Sequence, residues 1–120
     1  MAVTVMLNES AYAPGDIVTG TVTWEIQNKN NPKQMSVKLV WVTQGKGSVD
    51  SSDVKQETIP NPTNAGSYDF HLKLPLFPWS YEGKLLTLKW NIVVISDNKT
   101  LSTTPIICAP NKEPIKPFIL

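Results

Sequence analysis

Apolar and polar residues alternate along most of this chain, a pattern typical of strands with one buried and one solvated face. In one such stretch, 85–95, one face carries Leu86, Leu88, Trp90, Ile92 and Val94. The stretch contains no proline or glycine and is rich in β-branched and aromatic residues, which favour strands. We therefore expect a long core strand here, started by the proline and glycine of segment 77–83.

Six further segments are predicted as strands. They are 3–7, 17–27, 35–44, 50–59, 68–74 and 101–108. Segment 50–59 is mostly polar and is predicted to lie at a sheet edge, and Pro105 gives the last segment an edge position or a bulge. No segment has apolar residues at helical spacing over a helical length. About seven strands separated by turn residues predict an all-β sandwich of two sheets.

Two glycines carry specific expectations. Pro14 and Gly15 occupy the two central positions that a type II turn favours. Gly20 lies on the apolar side of segment 17–27, where a glycine indicates a bulge or close packing. Four large side chains are in phase with the apolar positions and are expected to share one core: Trp24, Trp41, Phe70 and Trp90.

Composition narrows the class of protein. A chain of 120 residues has the length of one domain, and its formal net charge of +1 gives no electrostatic bias toward nucleic acid or an anionic membrane. The single cysteine, Cys108, excludes an intrachain disulfide and is typical of a reducing compartment. No apolar run approaches the roughly 20 residues of a transmembrane helix, and the first residues lack signal-peptide features. These observations predict a cytoplasmic protein without a transmembrane segment.

The sequence offers little material for catalysis. His71 is the only histidine, and alternation places it on the polar face of its strand. A nucleophilic Cys108 or serine would need such a histidine beside it as a base. One histidine and one cysteine also fall short of the three or four ligands that a zinc site uses. We therefore expect no catalytic residues, no metal ion and no cofactor.

The order of several short motifs resembles the arrestin N-terminal domain family, especially the arrestin-domain-containing proteins. The motifs are Tyr12-x-Pro14-Gly15-Asp16-x-Val18-x-Gly20-x-Val22, Ser36-Val37-x-Leu39, Tyr68-x-Phe70-x-Leu72-x-Leu74-Pro75, Pro78-x-Ser80-x-Glu82-Gly83-Lys84 and Trp90-x-Ile92-x-Val94. None is specific alone, but their shared order and compatible separations span residues 12–97. The resemblance implies a single immunoglobulin-like sandwich over residues 1–108 that serves as a protein-binding adaptor without enzymatic activity. The Pro-Pro-x-Tyr motifs that recruit ubiquitin ligases in some members are absent from this sequence.

Two predicted strands are apolar on both faces. Val40 and Val42 in one, and Val93 and Ile95 in the other, lie where Thr, Lys or Asn is usual on a solvated face. If the strands are neighbours in one sheet, these side chains form an outward patch of the kind that binds a partner. Alternatively, the β-branched residues merely suit strands, and the patch is dispersed.

Segment 109–120 is predicted to be an extended, proline-rich tail. Its apolar end, which is expected to join the partner surface, consists of Phe118, Ile119 and Leu120. Either the tail folds back over the outward patch, or a second subunit or another protein covers it. We favour association, because Pro114 and Pro117 stiffen the tail into an arm that reaches a neighbouring subunit as readily as its own. This reasoning predicts a dimer.

The sequence also allows a second function, the binding of carbohydrate. Trp79 and Tyr81 lie in a segment that contains Pro75 and Pro78, outside the predicted strands. Exposed aromatic rings on a β-sandwich stack on sugar rings, so these two residues are the candidate site of a carbohydrate-binding module.

Overall fold

The computed structural model describes residues 2–26, 31–45, 48–83 and 86–113, and these residues form strands and turns without a helix. The strands are β1 (Ala2–Leu7), β2 (Ala11–Tyr12), β3 (Ile17–Glu25), β4 (Met35–Gly45), β5 (Ser48–Ile59), β6 (Ala65–Lys73), β7 (Tyr81–Glu82), β8 (Leu86–Ser96) and β9 (Lys99–Cys108). The seven long strands correspond to the seven predicted ones. Alternation did not reveal β2 and β7, because two residues are too short to show a period.

Two sheets face each other. The smaller sheet has the order β1-β3-β6 and is antiparallel, and the larger sheet has the order β2-β9-β8-β4-β5, with β7 also paired to β8. The predicted all-β sandwich is therefore confirmed. The polar strand β5 lies at a sheet edge, as predicted. Pro105 lies in the part of β9 that forms a sheet edge, because β2 pairs with β9 only at Ile107 and Cys108.

Two turns show how local sequence sets the backbone. Gly15 has a φ of 84°, and the Asp16 N–H donates to the Ala13 carbonyl at 3.1 Å, which confirms the type II turn. Asp97 and Asn98 have φ values of 47° and 69°, as a type I′ hairpin between β8 and β9 requires. The carboxylate of Asp97 also accepts the backbone N–H groups of residues 33 and 34, so this hairpin is tied to the start of β4.

The core lies between the sheets and contains three of the four predicted aromatic residues. Trp24, Phe70 and Trp90 are buried, and Phe70 and Trp90 have no exposed surface. The prediction for Trp41 was wrong, because this residue is only partly buried and packs against the core from its margin. Trp41 lies directly opposite Trp90 on β8, on the core face.

Gly20 is the point where the smaller sheet is packed most tightly. A Cβ atom at this position would lie 2.5 Å from the carbonyl oxygen of Met6 and 2.9 Å from Cζ of Phe70. Both distances are shorter than van der Waals contact, and the oxygen belongs to the β1 backbone. The close packing expected at Gly20 is confirmed, because the Phe70 ring occupies the space that a side chain would need.

We predict that Trp90→Ala leaves little folded protein. Truncation of a buried tryptophan costs about 3–5 kcal/mol, against a total stability of about 5–15 kcal/mol for a domain. Denaturant unfolding followed by circular dichroism measures the loss, with Trp79→Ala as the control because Trp79 is partly exposed. A Trp90→Ala protein that melts within a few degrees of the parent would show that this ring is not central to the core.

Gly20→Ala is predicted to destabilise the fold although it adds only one methyl group. The new Cβ meets a backbone oxygen that cannot rotate away, and such overpacking costs roughly 1–3 kcal/mol. The melting temperature should fall by at least about 4 °C. Thr23→Ala, at an exposed position of the same strand, should leave it nearly unchanged. An equal melting temperature for Gly20→Ala and the parent would contradict the close approach of β1 to β3.

Candidate protein-interaction surface

The larger sheet brings the two doubly apolar strands together. β4 pairs with β8 along its whole length, with Val40 opposite Asn91 and Val42 opposite Lys89. On β8, Val93 lies opposite Lys38 and Ile95 lies opposite Ser36. The core faces of both strands carry the buried residues, so these four side chains share the outer face. We call this set, Val40, Val42, Val93 and Ile95, the outer stripe.

The outer stripe runs obliquely across the two strands. Val40 and Val93 are diagonal neighbours in the register, and such neighbours have Cα atoms about 7 Å apart. Val42, Val93 and Ile95 are partly exposed, whereas Val40 is only 8% exposed although it faces outward. The stripe is therefore one continuous diagonal with polar residues on both sides. Its exposed apolar area is smaller than that of four fully exposed residues.

A bulge in β5 lies beside Val40. The register between β4 and β5 shifts after Leu39, so that Val40 lies opposite Asp53 and the extra residue, Val54, packs toward the core. Lys38 and Asp53 then form an ion pair at 2.9 Å beside Val40. Surface ion pairs contribute only about 0–1 kcal/mol to stability. The main effect of this pair is therefore to place two charged groups along one side of the outer stripe.

The other predicted members of the partner surface cannot be placed. Phe118, Ile119 and Leu120 lie outside the described residues, which end at Glu113. Their contribution to the outer stripe therefore stays a prediction.

The two residues of the candidate sugar site, Trp79 and Tyr81, have different packing partners. Trp79 stacks on Phe77, with ring centroids 5.7 Å apart and planes 22° apart, and its indole N–H donates to the Leu76 carbonyl at 2.7 Å. Tyr81 instead packs on the backbone of Gly83, where a Cβ atom would lie 2.5 Å from the Tyr81 ring. One face of Trp79 and its polar group are thus already engaged, and the carbohydrate-binding alternative is not favoured.

Sequence reasoning missed the most exposed apolar side chains of this segment. Leu76 is 64% exposed and Phe77 is 70% exposed. Their position between Pro75 and Pro78 was the available signal, because a chain bracketed by prolines cannot continue a buried strand ladder. We call Leu76, Phe77 and Trp79 the aromatic cluster.

The backbone beside the aromatic cluster is fixed by buried hydrogen bonds. The Ser80 N–H donates to the Cys108 carbonyl at 2.7 Å, and the Cys108 N–H donates to the Ser80 hydroxyl at 2.9 Å. The indole N–H of Trp90 donates to the Pro78 carbonyl at 2.9 Å. The cluster therefore projects from a well-anchored segment at the end of the sandwich where β9 ends.

The two side chains considered for catalysis, Cys108 and His71, lie in different environments. Burial, and secondarily the negative charge of Asp16, raises the pKa of the Cys108 thiol to about 11, so it is a neutral thiol at physiological pH. His71 is exposed on the outer face of the smaller sheet, and its backbone N–H donates to Glu57 at 2.8 Å.

Among the described residues, no three histidine, cysteine or carboxylate side chains lie close enough together to hold a metal ion. None of these residues forms a helix long and apolar enough to cross a membrane.

Comparisons with known proteins bear on the fold. No family model matches the chain, and no curated protein matches it. The solved structure of Spo0M, a sporulation control protein from Bacillus subtilis, superposes with a TM-score of 0.62 at 20% identity, covering 89% of this chain. The alkylpurine DNA glycosylase AlkC from Pseudomonas fluorescens, solved with DNA containing an abasic site analog, gives a TM-score of 0.48 at 10% identity, too low to carry an argument.

The likeness to Spo0M is one of fold. This chain spans about half of that protein, 48% of its length. At 20% identity the superposition supports the predicted sandwich without assigning an activity or a partner. The fold of the chain is an arrestin-like β-sandwich.

Proposed function

We propose that this chain is a non-enzymatic protein-binding module of the adaptor type, and that it binds its partner through the outer stripe. The observation that supports this function best is the pairing of β4 with β8, which joins four apolar side chains on a face that is usually solvated. Apolar side chains gathered on one exposed face mark interaction sites more often than the same side chains scattered singly.

The chemistry of the described residues agrees with a binding role. Cys108 is buried as a neutral thiol, and His71 lies exposed on the opposite sheet, so these two side chains do not form a nucleophile with its base. The outer stripe has the anatomy of a small interface, in which an apolar centre is bordered by charged residues such as Lys38, Asp53 and Lys89.

The first partner to test is a second copy of the chain. A twofold axis through the outer stripe would bring the same four side chains of both copies together, as closed homodimers commonly do. The alternative partner is a different protein with a complementary apolar face. Both cases place the same residues at the centre of the interface.

We predict that Val42→Lys weakens association while the fold is retained. Val42 is partly exposed on the outer face, so a lysine there disturbs the interface more than the core. Loss of a central contact of about 2 kcal/mol weakens binding roughly 30-fold. Gln44→Lys is the matched control, because it adds the same charge to the same face of β4 at an exposed polar position. Light scattering over a range of concentrations measures self-association, and melting temperature checks the fold.

A different partner protein is tested in parallel by affinity capture. A specific partner should be retained by the parent and by Gln44→Lys and lost with Val42→Lys. A parent that stays monomeric at the highest concentrations, and that captures the same proteins as Val42→Lys, would remove the outer stripe as the binding surface.

A further inference from the structure

Exposed apolar side chains collect at the end of the sandwich where the chain passes from β6 to β7. Among the described residues, six large apolar side chains are strongly exposed, and three of them lie here: Ile17, Leu76 and Phe77. Leu76 lies beside Gly15, where a Cβ atom would be 3.5 Å from its Cδ2 atom, and Gly15 is two residues before Ile17. Trp79 adds its partly exposed ring to the stack with Phe77. The aromatic cluster is therefore the centre of an apolar tip.

The segment that carries the cluster has no charged side chain. Residues 74–81 include no Lys, Arg, Asp, Glu or His, and the first charged residues on either side are Lys73 and Glu82. The two hydrogen bonds between Ser80 and Cys108 hold the segment, so its apolar side chains project from an anchored backbone. Entry of this tip into an apolar medium therefore buries no charge of its own, and burial of a charge is the largest cost of such a transfer.

The backbone of the segment presents few free polar groups. Pro75 and Pro78 have no N–H to satisfy. The Leu76 carbonyl accepts the indole N–H of Trp79 at 2.7 Å, and the Pro78 carbonyl accepts the indole N–H of Trp90 at 2.9 Å. A loop in water has no need of such pairing, whereas in hydrocarbon each unpaired backbone group carries a large cost. The segment is therefore suited to contact with lipid.

The size of the cluster also favours a lipid surface over a protein partner. A specific protein interface buries about 800 Å² on each side, whereas three side chains of this size offer roughly 300 Å². A bilayer requires no matching shape, only apolar side chains that reach about 5–10 Å into its interface. Tryptophan is enriched at that depth, where its ring is among apolar groups.

We propose that the aromatic cluster inserts into the boundary between headgroups and acyl chains of a zwitterionic phospholipid bilayer, and so holds the domain reversibly on a membrane surface. The formal net charge of +1 gives anionic lipid no part in this binding. Three side chains bury less apolar area than one myristoyl chain, which is half bound at about 0.1 mM lipid. Binding is therefore expected at millimolar lipid. This inference is independent of the outer stripe, which lies on the face of the larger sheet.

The first test measures retention on phosphatidylcholine vesicles. The full chain is mixed with vesicles over a range of lipid concentrations, and the bound fraction is measured by flotation. Phe77→Ser should lower the partition coefficient about tenfold or more, because the ring supplies a large part of the inserted apolar area. Val49→Ser is the matched control, because Val49 is 69% exposed against 70% for Phe77 but lies on the edge strand β5. Melting temperatures check that both variants are folded.

The second test observes Trp79 itself. Phosphatidylcholine with brominated acyl chains quenches the emission of a tryptophan that contacts it. The other three tryptophans are Trp24 and Trp90, which are buried, and Trp41, which packs against the core. At equal fractions of bound protein, emission should be quenched in the parent and should remain unquenched in Trp79→Phe.

Three results would overturn the proposal. One is a parent that stays unbound at the highest lipid concentrations, or that binds no better than Phe77→Ser. Another is binding that requires anionic lipid and disappears at high salt, since charge attraction would then replace apolar insertion. The third is capture of a protein by the parent and not by Phe77→Ser, without retention on vesicles, which would assign the cluster to a protein partner.

Discussion

The reciprocal hydrogen bonds between Ser80 and Cys108 hold together the part of the sandwich that has no sheet ladder to support it. After β6 the chain must leave the smaller sheet and enter the larger one, and its backbone groups lose their strand partners on the way. Ser80 is buried at this crossing and uses both its backbone N–H and its hydroxyl to bond the end of β9. An unpaired polar group buried there would cost about 1–3 kcal/mol, so the serine makes the crossing compatible with a dry core.

This anchoring also organises what surrounds it. The Pro78 carbonyl accepts the indole N–H of Trp90, so this fully buried core ring has a partner for its only polar group. The same fixed segment carries Leu76 and Phe77 outward into solvent. The burial of Ser80 and the exposure of Leu76 and Phe77 thus both follow from the anchoring of one short irregular segment.

The sequence predicted those features that depend on neighbours along the chain. The seven long strands, the turn at Gly15 and the edge position of β5 all follow from alternation or from local backbone preference. The four residues of the outer stripe were named from their phase alone, and β4 and β8 proved to be neighbours. Features that depend on contacts between distant segments were missed. The bulge in β5, the low exposure of Val40, the partial exposure of Trp41 and the stacking of Trp79 on Phe77 all depend on residues that are far apart in the sequence or on irregular backbone.

The parallel pairing of β2 with β9 has a mechanical consequence. The Ile107 N–H donates to the Ser10 carbonyl, and the Ala109 N–H donates to the Tyr12 carbonyl. These two strands lie near opposite ends of the described chain and run in the same direction. When the chain is pulled from both ends, the load slides one strand along the other and strains these bonds together, so they fail as a group. A hairpin pulled open from its ends would instead lose its bonds one at a time. The parallel pairing of β2 with β9 therefore resists a pull along these two strands better than a hairpin of the same length would.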